Sequence, residues 1–334
     1  MDSNATRGLP SGIKICRPDL WGELEAMHVA TIDYTNPHAP AEFAASMHAT
    51  GFGVVVSHPL AAMGLPEQIH EEWARFFATD AKWKYANSGG QDGFFPLPAS
   101  GGPDAPKLDR KEFFQVMRDG SYPEEVSDSA LRYFDEARHL AATLLGWLGD
   151  AVPAGVSRRF AMPLPRMLEG SFSTTLRIQR YLPATGEETP DSLRGLSHTD
   201  LNLITVLPAP REPGLQVRDS AGEWHDVPCD AGAFVINAGE MLEQITGGHY
   251  RATEHRVRFP VGGDGGRSRF SMPMFLHPAG GIRLNEQYTA ASFLRKRIDD
   301  LRRMGWRPAP GGQADDGDRA AGAGADGGRV PTRP

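Results

Sequence analysis

Apolar positions along the chain follow a helical period in much of the first half and break into short β-type runs in the second. Val29 to Asp33 and Phe52-Gly53-Val54-Val55-Val56 are β-favouring runs on either side of a helical stretch, Ala41 to Ala49. Pro66 stands where the first turn of a helix tolerates proline, and Leu65, Ile69, Trp73 and Phe76 then recur at helical spacing. From Asn87 to Pro106, glycine, proline and serine remove any period, which predicts a long loop; loops of that length in a compact domain are commonly functional or mobile. A strong helix is predicted over about Pro123 to Leu148, with Ala130, Tyr133, Phe134, Ala137, Leu140, Ala141, Leu144 and Leu148 on its core-facing side.

Near Gly170 the texture changes. The β-type runs Phe172–Tyr181, Leu203–Leu207, Leu215–Arg218, Ala233–Asn237 and Phe270–Leu276 alternate with Gly, Pro, Asp and Asn turns up to about Pro278. That punctuation predicts a closed or double-sheet β architecture such as a jelly roll. A last helix is expected near Asn285 to Met304, packed outside the β core. The expected organisation is an arm over 1–28, a helical and strand region over 29–169 packing on the core, and a β core plus C-terminal helix over 170–305. The last two together form one domain, and 306–334 is a tail too poor in apolar residues to order itself.

Composition narrows the function classes. Lys and Arg number 35 against 42 Asp and Glu, a net charge of −7, so no clustered basic footprint for nucleic acid is expected. No run approaches a membrane span, and Met1 to Ser11 carry no apolar stretch of the signal-peptide kind. Cys16 and Cys229 are too few for a disulfide framework or a cysteine-rich metal site, and a reducing cytoplasm is the default expectation.

The chemistry concentrates in Leu196-Ser197-His198-Thr199-Asp200, then His255 in Thr253-Glu254-His255-Arg256-Val257, then Arg269-Phe270-Ser271. In extended backbone His198 and Asp200 point to the same side and can grip one ion. His255 is distant in the chain, so a sheet must fold back to deliver it. Two imidazoles and one carboxylate form the ligand set of a non-haem Fe(II) oxygenase with open coordination positions. Zinc also accepts two histidines and an acid. The helical His-x-x-x-His with a glutamate base that usually accompanies it in hydrolases is absent from this sequence. Glu254 is expected to face away from the ligand His255, and the remaining histidines read as packing or solvent residues. Arg269-x-Ser271 suits a carboxylate, because a planar guanidinium can hold it bidentately and a hydroxyl adds a third bond.

Gly214-Leu215-Gln216-Val217, Trp224, Val227-Pro228, Gly232, Val235-Ile236-Asn237, Gly239-Glu240, Thr246-Gly247-Gly248, His255-Arg256-Val257 and Arg269-Phe270-Ser271-Met272-Pro273-Met274-Phe275 together carry a family resemblance. In them the chain resembles the isopenicillin N synthase-like branch of the Fe(II)/2-oxoglutarate-dependent dioxygenases, over roughly residues 29 to 304 and most specifically from Leu196 to Phe275. The resemblance implies a mainly β fold with flanking helices (α+β) built on a double-stranded β-helix, or jelly-roll, core. It implies His198, Asp200 and His255 as iron ligands, and Arg269 and Ser271 as partners of the far carboxylate of 2-oxoglutarate. Tyr181 matches a tyrosine that helps hold this co-substrate, and Gln179 stands where many plant relatives have asparagine. Phe275 is placed either in the cavity wall or in the core.

The activity implied is oxidation of an unactivated C–H bond of a small organic substrate, by hydroxylation, desaturation or cyclisation, within secondary metabolism such as antibiotic biosynthesis. Fe(II), 2-oxoglutarate and O2 serve the reaction, and succinate and CO2 leave. Isopenicillin N synthase itself keeps an Arg-x-Ser without using 2-oxoglutarate, so an oxidase needing only Fe(II) and O2 stays open, as does a non-catalytic metal-binding protein on the same scaffold. The expected partner is a small-molecule substrate, with neither nucleic acid nor membrane; members of the family are often monomers. Substrate reading falls to the loop around Phe94, Phe95 and Pro96, the segment Leu108 to Phe114 (read as the entry to a helix) and the C-terminal helix, while Arg177 and Arg180 read as surface residues that could meet a carboxylate.

Overall fold

The computed structural model describes residues 27–96, 111–183, 193–209, 212, 214–228, 230–259 and 267–303. Thirteen strands fall among them: β1 (Thr31–Asp33), β2 (Phe52–Val56), β3 (Gly93–Phe95), β4 (Lys111–Val116), β5 (Thr175–Tyr181), β6 (Leu193–His198), β7 (Ile204–Pro208), β8 (Leu215–Arg218), β9 (Trp224–Asp226), β10 (Phe234–Ala238), β11 (His255–Arg258), β12 (Arg269–Ser271) and β13 (Met274–Leu276). The helices are α1 (Ala39–Thr50), α2 (Pro59–Ala62), α3 (Leu65–Phe77), α4 (Ser129–Ala151), α5 (Ala154–Ser157), α6 (Glu240–Thr246) and α7 (Ala290–Arg303).

Two sheets result. The larger runs β1-β2-β10-β7-β13-β5-β4-β3 with β12 also on β5, and the smaller runs β6-β11-β8-β9. Strand alternation explains why they stack. Val55, Val206, Phe234, Ile236, Leu176, Ile178 and Met274 belong to a core shared with α1, α3 and α4. Their immediate neighbours Val54, Leu207 and Val235 point the other way, into a second core with Leu215, Val217 and Val257 of the smaller sheet. The larger sheet is therefore covered by helices on one face and by the smaller sheet on the other. This is the mainly β architecture with flanking helices, the double-stranded β-helix, that the strand pattern predicts.

The helices follow their stripes. Leu65, Ile69, Trp73, Phe76 and Phe77 are the buried side of α3, and Trp73 meets Phe114 of β4 edge-on at 5.1 Å. Gly51 caps α1 at φ 74°, and a Cβ there would collide with Thr253 Oγ1 and lie 2.6 Å from Arg251 O. Only glycine lets the end of α1 lie this close to the chain that leads into β11.

Three expectations are corrected. The long loop expected over Asn87 to Pro106 contains β3, and Phe94 is a fully buried core residue packed on Trp83 and Phe77 rather than a substrate contact. Of the segment Leu108 to Phe114, read as the entry to a helix, residues 111–114 belong instead to β4, which pairs along its whole length with β5, and 108–110 lie outside the described residues. The helix expected from Pro123 begins only at Ser129, because the Ser127 and Ser129 hydroxyls both donate to Glu72 of α3 and hold the preceding segment out of the helix. The arm up to residue 26 and the tail from 304 lie outside the described residues. Among the described residues no helix is long and apolar enough to cross a membrane.

Candidate functional site

The metal candidates meet because β6 and β11 are antiparallel neighbours in which His198 and His255 are direct cross-strand partners. Between His198 and Gly195, two residues of β6 face one of β11; this bulge turns the end of β6 and carries Asp200 just past the strand. One ligand atom each from His198, Asp200 and His255 lies within 4.8 Å of the others, near the span that one ion bridges through bonds of about 2 Å. Among the described residues no other group of His, Cys, Asp and Glu forms such a cluster.

The atoms beyond the cluster set which lone pairs face inward. His198 Nδ1–H donates to Leu196 O at 2.7 Å and His255 Nδ1–H to Thr253 O at 3.2 Å, so in both neutral rings Nε2 is left with a lone pair able to bind a metal. Asp200 Oδ2 accepts from Thr205 Oγ1 at 2.5 Å and Asn237 Nδ2 at 2.8 Å. Its Oδ1 lies 3.8 Å from His198 Nε2. Burial alone would raise the Asp200 carboxyl, but His255, His198 and the two hydrogen bonds outweigh it and hold it below the usual carboxylate range. Protein crowding its ring, together with His255, depresses the His198 imidazole below its ordinary value, although 54% of its side chain is open to solvent. A neutral imidazole is the form that binds metal.

A second tie reaches the same segment. Thr199, between the two ligands, donates to Glu240 Oε1 at 2.6 Å, and the Glu240 backbone N–H donates to Asp200 O at 2.7 Å. Arg297 of α7 in turn holds Glu240, at 2.9 Å through Nη2 and 2.8 Å through Nε.

The carboxylate candidates sit on the larger sheet. In the β12–β5 ladder Arg269 is opposite Tyr181 and Ser271 is opposite Gln179, so all four share one face. All four are buried, Arg269 to 2% exposure. Gln179 Nε2 donates to Tyr181 Oη at 3.2 Å, and the Arg269 guanidinium lies 5.6 Å from the Tyr181 ring centroid. Arg269 Nε and Nη1 are fully buried and have no hydrogen-bond partner among the described residues. A guanidinium so deep with unmet donors fits an anion with two acceptor oxygens. The row Phe52–Asn237–Thr205–Phe275–Thr175 runs across the same sheet in register. Thus the residues that hold Asp200 and the strands that carry Arg269 belong to one continuous sheet.

Sequence reading missed Thr205 and Asn237 as partners of Asp200. The signal was there: a lone amide inside the wholly buried strand Phe234–Ala238 needs a hydrogen-bonded reason. Glu254 does face away from the ligands, but its carboxylate accepts from Ser197 and from Arg218, tying β6 and β8 to β11. Arg180 is not a surface residue; it pairs with the buried Glu112, which also takes Lys82 at 3.0 Å, on the helix-covered face. Replacing Asn237 with leucine, similar in size but without a donor, is expected to weaken divalent-metal affinity about 10–100-fold while the far-ultraviolet circular dichroism stays unchanged. A metal titration checks it, and unchanged affinity would remove Asn237 from the site.

Known proteins resemble this chain in sequence and fold. A model described as the 2OG-Fe(II) oxygenase superfamily matches residues 173–278. The crystal structure of a Shewanella oneidensis protein, provisionally assigned as an oxygenase, is 40% identical and superposes with a TM-score of 0.74 over 83% of this chain and 98% of that one. Feruloyl CoA ortho-hydroxylase 2 of Arabidopsis thaliana is 28% identical over 240 residues, 68% of this chain but 63% of its own length, so the match spans less than two thirds of that relative. The crystal structure of a full-length Neurospora crassa protein in complex with alpha-KG and thymine superposes with a TM-score of 0.67, covering 82% of this chain and 97% of its own, at 18% identity, a likeness of fold alone.

Proposed function

The chain belongs to the 2OG-Fe(II) oxygenase superfamily, an oxidoreductase family working with Fe(II), 2-oxoglutarate and O2, and from that premise we propose how its own residues divide the work. His198, Asp200 and His255 hold the ferrous ion, and Arg269, Ser271, Tyr181 and Gln179 hold the far carboxylate of 2-oxoglutarate. The region 29–169 and the β core over 170–305 act as one catalytic domain. When bound there, iron, 2-oxoglutarate and dioxygen supply the oxidising power that attacks a C–H bond, and the co-substrate leaves as succinate and CO2.

The chain's part is positioning. Carbonyl acceptors at Leu196 and Thr253 fix both imidazoles in the tautomer that presents Nε2. Asn237 and Thr205 hold one Asp200 oxygen and leave the other for the ion. Phe52 packs edge-on to the His255 ring at 5.7 Å and keeps water from that side. The substrate is a small organic molecule, oxidised by hydroxylation, desaturation or ring closure; a place in secondary metabolism rests on the resemblance alone.

The observation that carries this reading is the buried Arg269 guanidinium with unmet Nε and Nη1 donors, on the same sheet as the residues that hold Asp200. The test is incubation of purified protein with Fe(II), ascorbate and 2-oxoglutarate. Succinate and CO2 are expected in equal amounts, slowly without substrate and faster with it. Dioxygen uptake with no succinate would replace this reading by an oxidase that draws all its electrons from the substrate, and neither uptake nor succinate would leave only metal binding.

A further inference from the structure

Asn202 lies in the short segment that carries the chain from Asp200 into β7, and none of its surface is exposed. Its amide nitrogen donates twice, to the Ile204 carbonyl oxygen at 3.1 Å and to Thr205 Oγ1 at 2.9 Å. A carbonyl oxygen can only accept, so the bond to Ile204 fixes which way the amide is turned: its nitrogen, not its oxygen, faces Thr205. Gly239 and α6 close over the residue. The Met241 N–H donates to the Asn202 carbonyl oxygen at 3.1 Å, and a Cβ on Gly239 would collide with that oxygen and with Asn202 Oδ1. Oδ1 is left buried with no hydrogen-bond partner among the described residues, a cost that only the two bonds on the nitrogen side offset.

Resting on the oxygenase reading above, we propose that Asn202 is a positioning residue for the metal-binding carboxylate, acting through the hydroxyl of Thr205. A threonine hydroxyl carries one hydrogen and rotates to suit its neighbours. Because Thr205 Oγ1 accepts from Asn202, its own hydrogen is directed to Asp200 Oδ2, 2.5 Å away. Asn237 of β10 donates to the same oxygen at 2.8 Å, so two donors occupy Oδ2 and Oδ1 alone is left for the ion. Asn202, Thr205, Asn237 and Asp200 are all buried, where such a chain of hydrogen bonds is stronger than in water and each bond polarises the next. The relay therefore runs one way, from Asn202 to Thr205 to Asp200. Without its first member the hydroxyl is free to turn aside, and the carboxylate, held by Asn237 alone, loses the fixed orientation that a metal ligand needs.

The experiment titrates the full chain, free of metal and without oxygen, with Fe(II) by calorimetry. Thr205→Val, which keeps the shape and removes the hydroxyl, is expected to weaken binding about 10–100-fold, and Asn202→Ala about tenfold. The double variant decides the route. In the Thr205→Val background Asn202→Ala is expected to change affinity less than about twofold, because the relay has already lost its middle member. Thr205→Ser keeps the hydroxyl, and on that background the tenfold loss on Asn202→Ala is expected to persist. An Asn202 that only packs its segment would lower the melting temperature of the metal-free protein with Fe(II) affinity unchanged, or would weaken binding equally with and without the hydroxyl; either result overturns the inference. Neutron diffraction from the deuterated parent protein decides by itself should the variants fail to fold. The Thr205 deuterium is expected to point at Asp200 Oδ2, and a deuterium directed at Asn202 or elsewhere overturns the relay. A parent protein that does not bind Fe(II) overturns the metal reading and this inference with it, whereas tight binding indifferent to Asn202 sinks this inference alone.

Discussion

Replacing His255 with alanine abolishes tight Fe(II) binding and lowers succinate production at least about 1000-fold, since changes one shell further out already cost about 10–100-fold. The loss is expected to be local. His255 lies mid-sheet between β6 and β8, and its backbone pairings with His198 and Val217 do not need the ring. Circular dichroism should therefore match the parent protein while metal titration and turnover collapse together. His225→Ala provides the contrast. That imidazole donates its Nε2–H to Asp219 Oδ2 at 2.7 Å, away from the ligand cluster, and its removal should leave turnover within about twofold. Full activity in the His255 variant would end the metal assignment.

Arg269→Met separates stability from function in opposite directions. With 2-oxoglutarate present, losing a bidentate charge-assisted contact should raise its KM at least about 100-fold. Without it, the parent keeps a guanidinium at 2% exposure with Nε and Nη1 unmet, a costly arrangement that a thioether of similar length does not share. The unliganded variant is thus expected to melt higher than the unliganded parent. Ligand binding stabilises by an amount that grows with concentration over Kd, so the parent's Tm should climb with added 2-oxoglutarate while the variant's stays flat. Thermal melts with and without the co-substrate check both halves. A variant that still shifts with 2-oxoglutarate would place the carboxylate elsewhere.

The candidate metal residues were legible because His198-x-Asp200, the distant His255 and Arg269-x-Ser271 all fall beside β-type runs, and a family resemblance then named Arg269, Ser271, Tyr181 and Gln179 as holders of the co-substrate. The four share one face of the sheet. What hid was hidden for physical reasons. Lys111–Val116 shows no alternation because both its faces are covered, Phe114 and Val116 by the helices and Phe113 and Gln115 by the Arg177 side chain of β5. The run Phe270–Leu276 reads as one strand but breaks into β12 and β13, since Pro273 has no N–H for a ladder; its carbonyl instead accepts from Arg177 N–H. Asn237 and Thr205 were visible as letters, yet their common target, one oxygen of Asp200, exists only once β7 and β10 lie side by side.

The link from Arg297 through Glu240 to Thr199 has a consequence for the far end of the chain. Ala290 and Phe293 are the buried side chains of α7, and the Arg297–Glu240 pair ties the helix to the body of the protein as well. The helix thereby works as a strut for the turn between two of the proposed iron ligands, though it offers no ligand of its own. A proteolytic clip ahead of residue 290 would leave every coordinating atom in the chain and still loosen the grip on the metal.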